Sequence, residues 1–96
     1  MLTDKAKIEF ESYYNNSTAD FLLNGIDFDD LPLCVKNALI IDWFDSIGIY
    51  IVNNRSFRFN KWNYEILGNF TSGFDSKSRQ EATKKAIEKA NEIYNI

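Results

Sequence analysis

Asp27, Asp29 and Asp30 are the densest group of oxygen ligands in the chain. A calcium loop alternates such ligands around a glycine and closes with a bidentate glutamate. Neither follows them at the required spacing, so they read as capping and solvated residues. Asp42 and Asp45 stand three apart, a spacing that would place two carboxylates on one helix face, or simply on its wet edge. Cys34 is the one cysteine, it lies in an apolar run, and there are 0 histidines. Without imidazole the commonest general base and metal ligand are missing, and Cys–His nucleophiles and ordinary zinc sites are excluded. The chain reads as a non-enzyme with no cofactor and no metal.

Chemistry of recognition is better represented. Tyr50, Phe57, Phe59, Trp62, Tyr64, Phe70 and Phe74 crowd a short stretch that also carries Arg55, Arg58 and Lys61. Aromatics interleaved with cations stack bases and neutralise phosphates, and the same pattern builds an aromatic core with a charged outer face. Seven large rings exceed what the helices of a 96-residue chain would cover, so a protein-binding or self-associating face is expected. Its residues would be Arg55, Arg58, Lys61, Trp62 and Tyr64. Lys84, Lys85 and Lys89 are the candidates for nucleic-acid contact, set against the plainer reading of a solvated helix face. Charge is uneven: residues 1–47 carry nine acidic groups and three lysines, residues 48–96 eight basic and five acidic groups. Either the halves face each other or the second half presents a basic surface.

The elements that must position these residues follow from periodicity. Ser78 and Glu81 have the spacing of a capping box. Ala82, Ala86, Ile87, Ala90, Ile93 and Tyr94 then recur on one helical face, opposite Lys84, Lys85, Glu88, Lys89 and Glu92. A first helix is expected from Thr3 to about Tyr14, capped by Thr3 or Asp4, with Ala6, Phe10, Tyr13 and Tyr14 inward, and broken by residues 15–18. Residues 19–30 are ambiguous: Phe21–Leu23 would give a short helical turn, and Ile26–Asp30 a loop. A second helix spans Leu31–Ile47, capped by Asp29 or Asp30, with Pro32 in its first turn and Gly48 as its C′ residue. Its apolar residues, Leu33 and Ala38 included, wrap most of its circumference, leaving Lys36, Asn37, Asp42 and Asp45 as a thin polar strip. The period then becomes two. Ile49–Val52 is a strand, Asn53-Asn54 a hairpin turn, and Phe57/Phe59 and Trp62/Tyr64/Ile66 alternate with polar residues. The parity slip between Phe59 and Trp62 needs a bulge or a turn at Asn60-Lys61. Gly68-Asn69 is a further turn before a strand from Phe70 to Phe74. The result is an α+β domain: N-terminal helices, an antiparallel meander of three to four strands, and a C-terminal helix on one face of the sheet.

One domain, 1–96, is expected from the length. The start leads into a charged segment rather than an apolar leader, and no apolar run reaches the roughly 18 residues of a membrane span. The lone cysteine fits a cytoplasmic setting, and the N-x-S/T triplets at Asn15, Asn16, Asn54 and Asn69 are those expected by chance in an asparagine-rich chain. The abundance of Asn, Ile, Lys and Phe suggests an AT-rich coding genome.

Two resemblances add to this. Leu31-Pro32, Asp42-Trp-Phe-Asp-Ser-Ile-Gly48, Ile51, and the run from Ser78 to Tyr94 resemble short uncharacterised proteins of bacteriophages and prophages, over about two thirds of the chain. This likeness implies a small accessory protein inside a bacterial host cell, whose partner is a host protein of defence or replication that it blocks. The order helix, three-strand meander, helix, with Ser78, Ala82, Ala86, Ile87 and Ala90, is similar to double-stranded RNA-binding domains. In that family lysines fall at the positions of Arg79, Gln80 and Thr83, and only Arg79 keeps the charge here; the family's loop histidine has no counterpart. That resemblance implies shape rather than RNA binding. The favoured expectation is therefore a non-enzymatic protein binder, with a nucleic-acid module using the basic C-terminal half as the alternative. A homodimer is compatible with either, and no membrane partner is expected.

Overall fold

The structure, a computed structural model, describes residues 2–16, 27–56, 61–67 and 71–96, with the side chains of Asn16, Ser56, Thr71, Phe74 and Asp75 left aside. Helix α1 (Asp4–Asn16) is followed by a 3-10 turn (Phe28–Asp30) and helix α2 (Leu33–Ser46). Strands β1 (Tyr50–Ser56), β2 (Lys61–Leu67) and β3 (Thr71–Ser76) form an antiparallel sheet of order β1-β2-β3, and helix α3 (Arg79–Tyr94) closes the chain. The fold is α+β, with the C-terminal helix packed on the sheet.

Helix α3 begins as a capping box. Ser78 Oγ accepts from the Glu81 N–H at 3.1 Å, while Glu81 Oε2 accepts from the Lys77 N–H at 3.1 Å, one residue before the usual partner. Ala82, Ala86 and Ala90 are each fully buried, so the helix axis comes close to the strands, and Ile87 beside them is 1 % exposed. Helix α2 ends in a Schellman motif: Ile49 N–H donates to Phe44 O at 2.9 Å and Gly48 N–H to Asp45 O at 3.2 Å, with Gly48 at φ +87°.

The start of α2 departs from expectation. The 3-10 turn and the extended Leu31 and Pro32 (ψ 149° at each) delay the helix to Leu33, so Pro32 is its N-cap and neither Asp29 nor Asp30 caps it. The apolar wrap is also incomplete. Ile40, Trp43 and Phe44 are buried, but Leu33, Ala38 and Ile47 are exposed, while Asn37 of the supposed polar strip is buried.

Helix α1 is capped from the far end of the chain rather than by Thr3 or Asp4. Asn95 Oδ1 accepts from the Ala6 N–H at 2.9 Å, and its Nδ2 donates to Thr3 O at 2.9 Å. Asn91 Oδ1 accepts from the Thr3 N–H at 2.9 Å, and its Nδ2 donates to Thr3 Oγ1 at 3.0 Å. This clasp sets Ala6, Phe10 and Tyr14 against the helical layer, where the Trp43 ring meets Phe10 at 5.8 Å and Tyr94 at 5.3 Å, both edge-on.

Asn53-Asn54 is not a turn. The β1–β2 ladder runs without interruption from Tyr50↔Leu67 to Ser56↔Lys61, so both asparagines lie inside β1. Asn53 tolerates the strand because its Nδ2 donates to Thr83 Oγ1 of α3 at 2.8 Å. The chain connects β1 to β2 through 57–60, so Phe57, Phe59 and Asn60 lie outside the described residues, as do Phe21–Leu23, Ile26 and the Gly68-Asn69 turn. An irregularity does occur, but in the next ladder: Trp62↔Ser76 and Tyr64↔Gly73 enclose a bulge in β3.

Candidate functional site

Strand alternation divides the sheet into two unlike faces. Ile49, Ile51, Asn53, Tyr64 and Ile66 point into the helical layer: Ile66 is fully buried, Ile49 and Tyr64 are each 8 % exposed, and Ile51 and Asn53 are half-buried. The complementary positions open outward. Tyr50 is 48 %, Val52 36 % and Leu67 45 % exposed. Tyr50 stands directly across from Leu67, and Val52 follows on the same face opposite Glu65. Cross-strand neighbours hold their Cβ atoms about 4.5–5.5 Å apart, so these three form one apolar patch. Beyond it the face turns polar through Asn54, Asn63 and Lys61, with Ser72 across from Glu65 on β3.

The residues expected to bind a partner do not share this face. Lys61 lies on it and is exposed. Tyr64 belongs to the core, its ring lying over Gly73, where an added Cβ would come within 2.5 Å of Tyr64 Cζ. Trp62 is half-buried on the same side as Tyr64, with the Arg79 guanidinium 4.8 Å above its ring centroid. Arg55 is exposed and pairs with Trp62 on that helical side. Arg58 lies outside the described residues. Of the aromatics, Phe70 also lies outside them, and Tyr50 alone of the described rings marks the open face.

The lysines of α3 are not a free basic surface. Lys85 bridges Glu81 at 3.1 Å and Lys89 bridges Glu92 at 3.2 Å. Lys84 is exposed, with no ion pair among the described residues, at the edge of a groove between α2 and α3. The Lys77 N–H, and then the Lys85 ammonium, hold the Glu81 carboxyl below its ordinary value, in keeping with its place in the cap. Lys61 opens on the face away from α3, while Arg55 lies on the α3 side.

The carboxylates have structural uses. Tyr13 Oη donates to Asp42 Oδ2 at 3.1 Å, tying α1 to α2; burial and then that carboxylate raise the tyrosine pKa. Partial burial, with the Asp42 charge adding, pushes the Asp45 carboxyl up. No group of three or more metal-ligating side chains occurs among the described residues, and among them no helix is long and apolar enough to cross a membrane. Comparison with protein-family models, with curated proteins and with solved structures finds no match to this chain.

The groove is the feature that pattern reading missed. It measures about 500 Å³ and runs between the first turns of α2 and one flank of α3, lined by Leu33, Asn37, Gln80, Lys84, Ile87 and Glu88 among others. Its signal lay in Leu33 and Asn37, which the helical period alone assigns to the core and the surface respectively; the structure reverses both.

Proposed function

We propose that this chain is a small non-enzymatic binding protein that works through protein–protein contact on the open face of its sheet. The observation that carries the reading is the patch of Tyr50, Val52 and Leu67, left 36–48 % exposed at one end of the β1–β2 ladder. Aliphatic and aromatic side chains on a strand face are normally covered, and a contiguous patch rimmed by polar groups is the usual form of an interaction surface. Glu65 at its border and Lys61 at the far end of the same face supply charges of both signs, which orient a partner more than they hold it. The resemblance to phage accessory proteins makes the partner a host protein, and blocking a defence or replication protein the consequence of binding.

Affinity capture from a bacterial lysate, with and without nuclease, tests this. The expected result is one dominant protein that survives nuclease. Recovery that vanishes with nuclease would overturn the reading in favour of nucleic acid.

A further inference from the structure

Strand β1 has the composition of a central strand yet stands at the edge of the sheet. The run Ile49-Tyr50-Ile51-Val52, leading into β1, is unbroken apolar, β-branched and aromatic, the pattern of a strand covered on both faces. In the order β1-β2-β3 it pairs with β2, and among the described residues no strand joins its other side. Edge strands are normally blunted by a lysine, a proline or a bulge. The β3 edge is blunted in this way, by the bulge between Gly73 and Ser76. β1 keeps an unshifted register along its whole length, and Tyr50-Ile51-Val52 holds no charge, proline or glycine. Tyr50 and Val52 are exposed on the open face and Ile51 is half-buried on the helical face, so an added strand would meet apolar surface on both sides.

Charge and symmetry select the occupant. Arg55 is the one charged residue of β1, near its last residue and on the helical side. Before the first residue of β1, α2 ends with exposed Asp42 and Asp45, no basic residue in its last turn, and the negative end of its dipole. A second copy running antiparallel lays each Arg55 toward the other copy's α2 terminus, whereas a parallel copy would set the two arginines side by side. A two-fold axis through Ile51 places Ile51 against itself on the helical side and Tyr50 against Val52 on the open face, as directly opposite cross-strand pairs. With one competent edge per chain, the join closes at two copies instead of growing into a fibre.

We propose that the chain forms a homodimer by antiparallel pairing of its β1 edges about Ile51. Each copy adds its three strands to one continuous sheet, whose open face unites the two patches of Tyr50, Val52 and Leu67. This goes beyond the protein-binding reading and is read from oligomeric state, so either can fail without the other.

Sedimentation equilibrium from about 5 µM to about 0.5 mM, a range set by the small area an edge join buries, should show the mass rising from the 11.2 kDa of one chain toward twice that. Tyr50→Lys/Val52→Lys sets lysine opposite lysine twice and should weaken the dimer about tenfold, while Tyr50→Glu/Val52→Lys sets opposite charges there and should keep it. Both positions are exposed, so both variants should keep the native circular dichroism. In a Cys34→Ser background, Ile51→Cys should form an intermolecular disulfide, because residues on the axis lie within disulfide reach, and Lys84→Cys should not. A mass of 11.2 kDa at every concentration would overturn the dimer. Equal weakening by the two charge variants, or cross-linking no better at 51 than at 84, would overturn the β1 join. Growth past twice the chain mass would overturn its closure.

Discussion

Gly73→Ala places a methyl group where the Tyr64 ring already lies. An added Cβ would be 2.5 Å from Tyr64 Cζ and 2.8 Å from its hydroxyl, so the ring must shift out of its place. Tyr64 is 8 % exposed and an aromatic side chain buries about 150–250 Å². Returning about 100 Å² of it to water at about 25 cal/mol per Å² costs about 2.5 kcal/mol, inside the range of about 1–3 kcal/mol seen for overpacked sites. For a domain of this size that is about 10–20 °C in Tm. Urea unfolding followed by circular dichroism should show a lower midpoint with an unchanged slope. The decisive arm is the same substitution in a Tyr64→Val background. With the ring gone the methyl group has nothing to strike, and Gly73→Ala should become neutral or stabilise by about 0.5–1 kcal/mol, because glycine disfavours a strand interior. A neutral Gly73→Ala in the native background, or an equal cost in both, would refute the placement of Tyr64 in the core.

Three further outcomes follow from the helix ends. Gly48→Ala should cost about 1–2 kcal/mol in thermal unfolding, because φ is +87° and no atom lies near enough to add a steric cost; Gly48→Asn should cost less. Asn95→Ala removes the hydrogen bonds to Ala6 N–H and Thr3 O, and should destabilise by about 1–2 kcal/mol with faster amide exchange at Ala6. Glu81 has a lowered folded pKa, so its contribution is present above its ordinary value of 4.5 and is lost as pH falls through the lower one. The difference in urea midpoint between the native protein and Glu81→Gln should therefore be seen at pH 7 and shrink as pH falls below 4.5; a difference that does not shrink in acid would contradict the cap.

The parts legible in sequence are those whose physics is local. The Ser78–Glu81 box, the alanine stripe of α3 and the left-handed Gly48 each declare themselves within a few residues, and α+β follows from the change of period after Gly48. Asparagine usually marks a turn, and only Thr83, thirty positions away, gives the Asn53 Nδ2 a partner inside the strand. The cap of α1 was illegible for the same reason, since Asn95 is remote from it in sequence. In the sequence, ring chemistry and the parity slip before them point to Trp62 and Tyr64. Parity within β2 places them together, but which side faces α3 depends on packing, and the open side carries Tyr50, Val52 and Leu67 instead. The Leu33–Asn37 reversal was visible only as two residue types whose places a groove exchanges.

The measurement that tests the central claim most directly is the lysate capture repeated with Tyr50→Glu/Val52→Lys, nuclease present throughout. Both side chains are exposed, so the variant should keep the native circular dichroism and melt close to the native protein. The account predicts that the dominant captured protein disappears with this variant and is retained by Trp62→Ala. A folded Tyr50→Glu/Val52→Lys variant that captures the same protein in the same amount would contradict it.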